Sequence, residues 1–252
     1  MSPKGERMLE AMVAAAPAGS AVTRSYRGEH RLLLVYGVGQ PNRFAARREH
    51  LRRGGNVAML DLGYWDRDKQ AMRVSVNELH PTAAQLDMAP LGDTRSRPAA
   101  KPEPALDPAG PILLVGIGPK SVHLYGLRPY RWEREALAMI KTRFPGRQVL
   151  WRPKGRREID LPGTTTASGG DIGDVLPRCS LVVCRHSNVA VDATVAGIPV
   201  LCEAGAAAVL YASGPAPDAA ARNEFLRRLA WWNWQPGEAA ALWQWLHEVT
   251  TA

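Results

Sequence analysis

No stretch of this 252-residue chain approaches the ~18 to 20 uninterrupted apolar residues of a membrane-spanning helix, so no membrane span is expected. Cysteine is scarce. Cys179, Cys184 and Cys202 are odd in number and form no C-x-x-C pair, and they read as reduced core thiols of a cytoplasmic protein. The six histidines show neither H-x-x-x-H spacing nor a cysteine partner, which argues against a zinc site. There is no G-x-S-x-G elbow and no Walker A loop, which argues against a hydrolase triad and a P-loop kinase. The N-terminal run MSPKGERMLEAMVAAAPAGSA superficially resembles a secretory signal, but Glu6 and Glu10 interrupt its apolar part. An amphipathic first helix is the better reading.

What is present is a globular composition, 46% hydrophobic and 22% charged, with a net charge of +8 carried mostly by arginine. Arg43, Arg47, Arg48, Arg52 and Arg53 crowd one expected helix, and Arg152, Lys154, Arg156 and Arg157 follow an expected strand. That balance favours a polyanionic partner, nucleic acid or a phosphorylated substrate, against the plainer reading of solvated arginine-rich faces.

The proline-rich run from Met88 to Pro111 has no apolar periodicity and divides the chain. Upstream, a strand over Arg31–Tyr36 leads through Gly37-Val38-Gly39-Gln40-Pro41 into a basic helix ending near Arg53, then a strand over Asn56–Leu62. Downstream, a strand over Pro111–Gly116 runs into Gly116-Ile117-Gly118-Pro119-Lys120-Ser121. A helix (Arg131–Arg143), a strand (Gln148–Arg152), a strand (Leu181–Cys184), a small-residue helix (Val189–Ala196) and a strand from Val200 follow. Two halves that each begin strand, glycine turn, helix, strand predict an α/β protein of two Rossmann-like domains with parallel sheets, facing across a cleft. The expected division is 1–89, a linker over 90–110, a second domain over 111–218 and a tryptophan-rich helical tail over 219–252. In that tail Leu242, Trp245, Leu246 and Val249 share one helical face.

Three loops after expected parallel strands carry the chemistry: Gly118, Lys120 and Ser121; Arg152 and Lys154; and His186, Ser187 and Asn188. They converge on the carboxyl edge of one sheet, where doubly wound folds bind ligands. A helix starting at Ser187-Asn188 offers unpaired N–H groups and a positive dipole end to a diphosphate. Asp192, one turn further, is placed to accept hydrogen bonds from a ribose, unless it is an ordinary helix acid and Ser187 only an N-cap. In the first half, Gly37-Val38-Gly39 with Asp61 imitates a dinucleotide fingerprint but lacks the third glycine. Asp66-Arg67-Asp68 is a D-x-D triplet with nothing nearby to complete a metal site.

At these residues the chain resembles GT-B glycosyltransferases, in particular the capsule-polysaccharide and phage-encoded transferases. The resemblance is carried by His186-Ser187-Asn188-Val189-Ala190-Val191-Asp192-Ala193, Gly197-Ile198-Pro199-Val200, the preceding DIGDVLPRCSLVV and, in the first half, LDLGYWDR. It covers residues 111–211 and more faintly 31–80. It implies a nucleotide-sugar donor, expected to be a UDP-sugar, on the second domain, an acceptor on the first, and no obligatory metal. Lys120, Arg152 and the Ser187-Asn188 turn would then stabilise the leaving diphosphate. Asp66 is the preferred acceptor-activating base, with Asp61 and His80 behind it. The arginine helix makes hydroxymethylated pyrimidines of phage DNA the leading acceptor, ahead of a polysaccharide or lipid. A non-catalytic nucleic-acid-binding protein on a GT-B-like fold and a nicotinamide oxidoreductase remain as other classes.

Overall fold

A computed structural model describes residues 3–251 apart from 24, 38, 39, 93, 94, 155–159, 168 and 169. The expected contributions of Gly39, Arg156 and Arg157 lie outside the described residues. Up to residue 97 the elements are α1 (Pro3–Ala14), β1 (Leu32–Tyr36), α2 (Pro41–Arg52), β2 (Asn56–Leu62), β3 (Met72–Val76) and α3 (Ala83–Asp87). Next come β4 (Ile112–Val115), α4 (Pro119–Leu124), α5 (Arg131–Arg143), β5 (Val149–Arg152), β6 (Thr165–Thr166) and α6 (Ile172–Val175). The chain continues through β7 (Leu181–Cys184), α7 (Val189–Ala196), β8 (Val200–Cys202) and α8 (Ala208–Tyr211). It ends with α9 (Ala219–Ala230), β9 (Asn233–Trp234) and α10 (Ala239–Thr251). Two compact units result, Met1–Arg97 with Arg227–Ala252, and Pro98–Leu226.

The second unit is the doubly wound one. Its sheet has the order β6-β5-β4-β7-β8, and every neighbouring pair is parallel. β4 and β7 are fully buried apolar runs, as strands covered on both faces must be. Helix α5 presents Trp132, Ala136, Leu137 and Ile140 to Ile112, Leu114, Val149, Trp151, Leu181 and Val183, a spacing that keeps one helical face on the core. The chain lays down β5 and β6 on one side of β4, then crosses to place β7 and β8 on the other. The gap above β4 and β7 is therefore the point where strand order reverses.

The first unit departs from expectation. Its sheet has the order β1-β2-β3-β9, and only β1 and β2 are parallel, joined through α2. β3 runs antiparallel to β2 because residues 63–71 are too few for a parallel crossover, which takes about a dozen or more. An all-parallel sheet in this half is thus corrected to a mixed one. The fourth strand, β9, comes from the last segment of the chain and pairs antiparallel with β3. Of the residues expected to form a tail over 219–252, those before Arg227 belong to the second unit, while Arg227–Ala252 complete this one. Trp232, Trp234, Leu242, Trp245 and Leu246 are all buried in it. Trp243 donates from Nε1 to the Met12 carbonyl at 2.8 Å, while Met8 and Met12 form the buried face of the amphipathic α1.

The proline-rich run is extended, as expected, but it is tied down. In the first unit Arg95 donates to the carbonyls of Ala230 and Asn233 at 3.0 and 3.1 Å, with its guanidinium 3.6 Å from the centre of the Trp234 ring. In the second, Ala100 N–H reaches Asn223 Oδ1 at 2.9 Å and Lys101 N–H reaches the Val195 carbonyl at 2.8 Å.

Candidate functional site

The carboxyl ends of β4, β5, β7 and β8 lie at one edge of the second unit because all four strands are parallel. β5 runs out into Pro153-Lys154 and β7 into Arg185-His186-Ser187, with β4 between them. Lys154 Nζ donates to Ser187 Oγ at 3.0 Å, so the two outer loops meet over the end of β4. The same hydroxyl accepts the Val189 N–H at 3.3 Å, at the N-terminus of the eight-residue α7. Ser187 thus caps the helix and holds a cation there at once. An ammonium, a buried hydroxyl and a helix start thus come together there, the groups from which helix N-termini build anion sites.

Glycine at 116 makes the approach of these loops possible. A Cβ there would lie 2.6 Å from the Trp151 ring and 3.4 Å from the Lys154 backbone nitrogen. The loop after β4 is fixed from below by Glu133, which is 1% exposed and accepts the Ile117 N–H at 2.9 Å. Sequence reasoning missed Glu133. Its only signal was an acid in the first turn of an otherwise amphipathic helix. Tyr125 was missed too. Its ring lies 4.2 Å from the Arg185 guanidinium carbon and 5.1 Å from the His186 ring, ordering the start of the 185–188 turn.

The other expected donor-site residues are placed as follows. Gly118 is the N-cap of the six-residue α4, with Lys120 exposed and Ser121 half-buried on that helix. Arg152 donates to the carbonyls of Ala167 and Gly170 at 3.2 and 3.0 Å, holding the loop after β6 against the end of β5. Asn188 leads into α7 in a helical conformation without a side-chain cap bond, and Asp192 is half-buried in the first turn. Of the expected set, Lys154 and Ser187 make a direct side-chain bond.

In the first unit, Asp61 and His80 belong to one network. Arg73, 9% exposed on β3, donates to Asp61 Oδ2 at 3.0 Å and lies 2.8 Å from His80 Nδ1. Tyr64 adds its hydroxyl 3.3 Å from the same His80 nitrogen, and burial pushes its phenol up to about 12. Asp61 also accepts the Leu62 N–H at 2.8 Å. Asp66 sits apart in the β2–β3 turn at φ +50°, where its carboxylate pairs with the exposed Lys69 at 3.1 Å. Arg67 folds back to the carbonyls of Gly63 and Tyr64 at 2.9 and 2.8 Å, so the D-x-D triplet forms a self-bonded turn. Among the described residues no group of three or more His, Cys, Asp or Glu side chains is arranged to hold a metal ion.

The arginines of α2 are largely engaged within the unit. Arg43 donates to the Tyr36 carbonyl at 2.5 Å and Arg47 to that of Asn77. Arg52 and Arg53 share Glu49, each at 2.8 Å, and their hydrogen bonds hold its carboxyl down at about 2. Among the described residues no helix is long and apolar enough to cross a membrane.

No family model and no curated protein matches the chain. Solved structures do. A KpsC β-Kdo 2,4-transferase from Thermosulfurimonas dismutans superposes with a TM-score of 0.54 at 14% identity, over 92% of this chain and 89% of its own. A KpsC β-Kdo 2,7-transferase from the same organism gives 0.53 at 14% identity, over 96% and 97%. At this level of identity the likeness establishes the fold: the chain shares the α/β fold of these glycosyltransferases.

Proposed function

We propose that this protein is a glycosyltransferase with its donor site at the carboxyl edge of the second unit. The observation that carries the reading is the 3.0 Å bond from Lys154 to Ser187 at the start of α7, over the strand-order reversal of a parallel sheet. An anion at that edge meets an ammonium and a helix N-terminus. As the bond from sugar to leaving phosphate breaks, negative charge grows on the phosphate oxygens, and fixed donors aimed there lower the barrier. The donor is accordingly a nucleotide-sugar. The fold shared with two Kdo transferases supports transfer of a sugar, and supports a saccharide over a DNA base as acceptor. The use of the α2 arginines within their own unit weighs the same way.

In this reading the first unit receives the acceptor, in a GT-B-like division of labour, and Asp66 removes the proton from its hydroxyl. Asp61 and His80 are held in the Arg73–Tyr64 network. The Asp66 carboxylate pairs with Lys69, whose side chain is 59% exposed and able to release it. A base must be able to exchange its partner for the substrate proton. No metal is required for the step.

The test is a thermal-shift and calorimetric panel of UDP-sugars, GDP-sugars, activated Kdo and NAD. One nucleotide-sugar is expected to bind. Lys154→Ala should weaken that ligand by about 1.5 to 3 kcal/mol, the worth of a hydrogen bond to a charged group. Asp66→Asn should bind it normally yet lose about 10²- to 10⁴-fold in turnover, unchanged by EDTA. Unaltered affinity in Lys154→Ala refutes the donor placement. Full turnover in Asp66→Asn transfers the role to Asp61 or His80.

A further inference from the structure

Cys184 ends β7 and Cys202 ends β8, and the parallel register sets them opposite one another. Their Sγ atoms are 3.8 Å apart. Neighbouring strands run about 4.7 to 4.9 Å apart, inside the roughly 4.4 to 6.8 Å between Cα atoms that a disulfide spans. Bridging the pair therefore calls for side-chain rotation and little movement of the backbone. Cys184 is fully buried and Cys202 is only partly buried, so the Cys202 side is the one open to a small oxidant. Cys179 is occupied elsewhere, donating to the Val175 carbonyl at 3.3 Å.

The pair lies directly beneath the 185–188 turn. Cys202 Sγ is 2.9 Å from the Ala204 carbonyl and 3.5 Å from that of Arg185, and Ala204 N–H donates to the Arg185 carbonyl at 2.6 Å. The hydrogen bond with the Cys202 thiol, then the Ser187 backbone and Lys154, lower the Cys184 thiol against the opposing effect of burial. The hydrogen bond with Cys184 and then burial push the Cys202 thiol up.

We propose that Cys184 and Cys202 form an oxidisable dithiol that closes to a disulfide with hydrogen peroxide, and that closure rearranges the 185–188 turn. One thiolate attacks peroxide, the O–O bond breaks, and hydroxide leaves to be protonated to water, giving a sulfenic acid. The second sulfur attacks the sulfenic sulfur. The S–S bond forms, the S–O bond breaks, and a second water departs. Two thiols and one peroxide thus yield one disulfide and two waters, with two electrons passing from sulfur to peroxide. Closure removes the S–H donor near the Ala204 and Arg185 carbonyls and rotates both side chains. The turn carrying Ser187 then loses its support from below. This modification site stands independently of the proposed glycosyl transfer.

The experiment treats the full chain with hydrogen peroxide, quenches it, denatures it and alkylates the remaining thiols for peptide mapping. The expected result is loss of two of the three free thiols, with a 184–202 linked peptide and Cys179 still alkylated, all reversed by dithiothreitol. Cys179→Ser should still close, and Cys202→Ser should not. Three retained thiols, a sulfinic acid on one cysteine, or a link through Cys179 or between chains overturns the proposal. Amide exchange of residues 185–189 is read on the oxidised and reduced wild type, so the answer does not depend on a variant folding. Altered exchange supports the coupling. A disulfide that leaves exchange unchanged overturns it.

Discussion

Tyr64 shows how one side chain can tie two parts of a unit together. It is 1% exposed, its hydroxyl meets His80, and its N–H is held by Asn233 Oδ1 at 2.8 Å, from the strand that arrives last. Because burial raises its phenol to about 12, the folded state keeps a proton that the unfolded state loses near 10. Stability is therefore fully present below the unfolded value and falls as pH rises between the two, by about 1.4 kcal/mol per pH unit at most. Tyr64→Phe should cost roughly 0.5 to 1.5 kcal/mol at neutral pH through the lost hydrogen bond. It should also flatten the alkaline decline, leaving the part due to Tyr211, which burial likewise raises to about 12. Chemical denaturation of both proteins from pH 8 to 12 measures this. Parallel curves would assign the alkaline loss to other groups.

Among elements, the loop after β4 depends on the absence of a side chain. Gly116→Ala places a methyl 2.6 Å from the Trp151 ring, which is 1% exposed and cannot yield cheaply in a close-packed core. A loss of about 1 to 3 kcal/mol is expected from overpacking, together with weaker donor binding as Lys154 is displaced. Equal stability and affinity in the variant would mean that the loop accommodates the methyl. Helix α2 gives a contrasting expectation. With Arg43, Arg47, Arg52 and Arg53 engaged internally, binding to duplex DNA should be weak, with a log–log salt slope shallower than the roughly −2 to −3 expected for two or three neutralised phosphates. A steep slope in a filter-binding titration would restore the nucleic-acid reading. The sequence showed α2 as a basic helix, and the i,i+3 and i,i+4 spacing of Glu49 to Arg52 and Arg53 was legible in it, but Tyr36 and Asn77 become partners of Arg43 and Arg47 only through the fold. The second unit was more legible. Its strands are short apolar runs bounded by turns, and a parallel sheet sends every strand's carboxyl end to one edge, so Lys154 and Ser187 could be grouped in advance. Glu133 and Tyr125 could not, because each acts on a loop distant in sequence.

On the scale of the molecule, each unit has its own core, and the two cores are assembled differently. Pro98–Leu226 is a contiguous stretch whose buried strands follow one another along the chain. The other unit is discontinuous: β1, β2 and β3 are covered and extended by β9 and α10, more than 150 residues later. That long return was invisible in the sequence, since β9 is two residues long and too short to show strand periodicity. Trp234 is therefore the discriminating position. It is 1% exposed, pairs with Met72 in the β3–β9 register, and is capped by the Arg95 guanidinium. Trp234→Ala should cost about 3 to 5 kcal/mol, a large share of the roughly 5 to 15 kcal/mol that holds a domain folded. If each core carries its own cooperativity, hydrogen exchange should rise in β1, β2 and β3 of this variant while β4, β5 and β7 keep their protection. Trp151→Ala, in the other core, should give the reverse pattern. Equal loss of protection in both sets from either substitution would instead identify one cooperative block, in which the late-arriving strand governs the stability of the parallel sheet of the other unit as well.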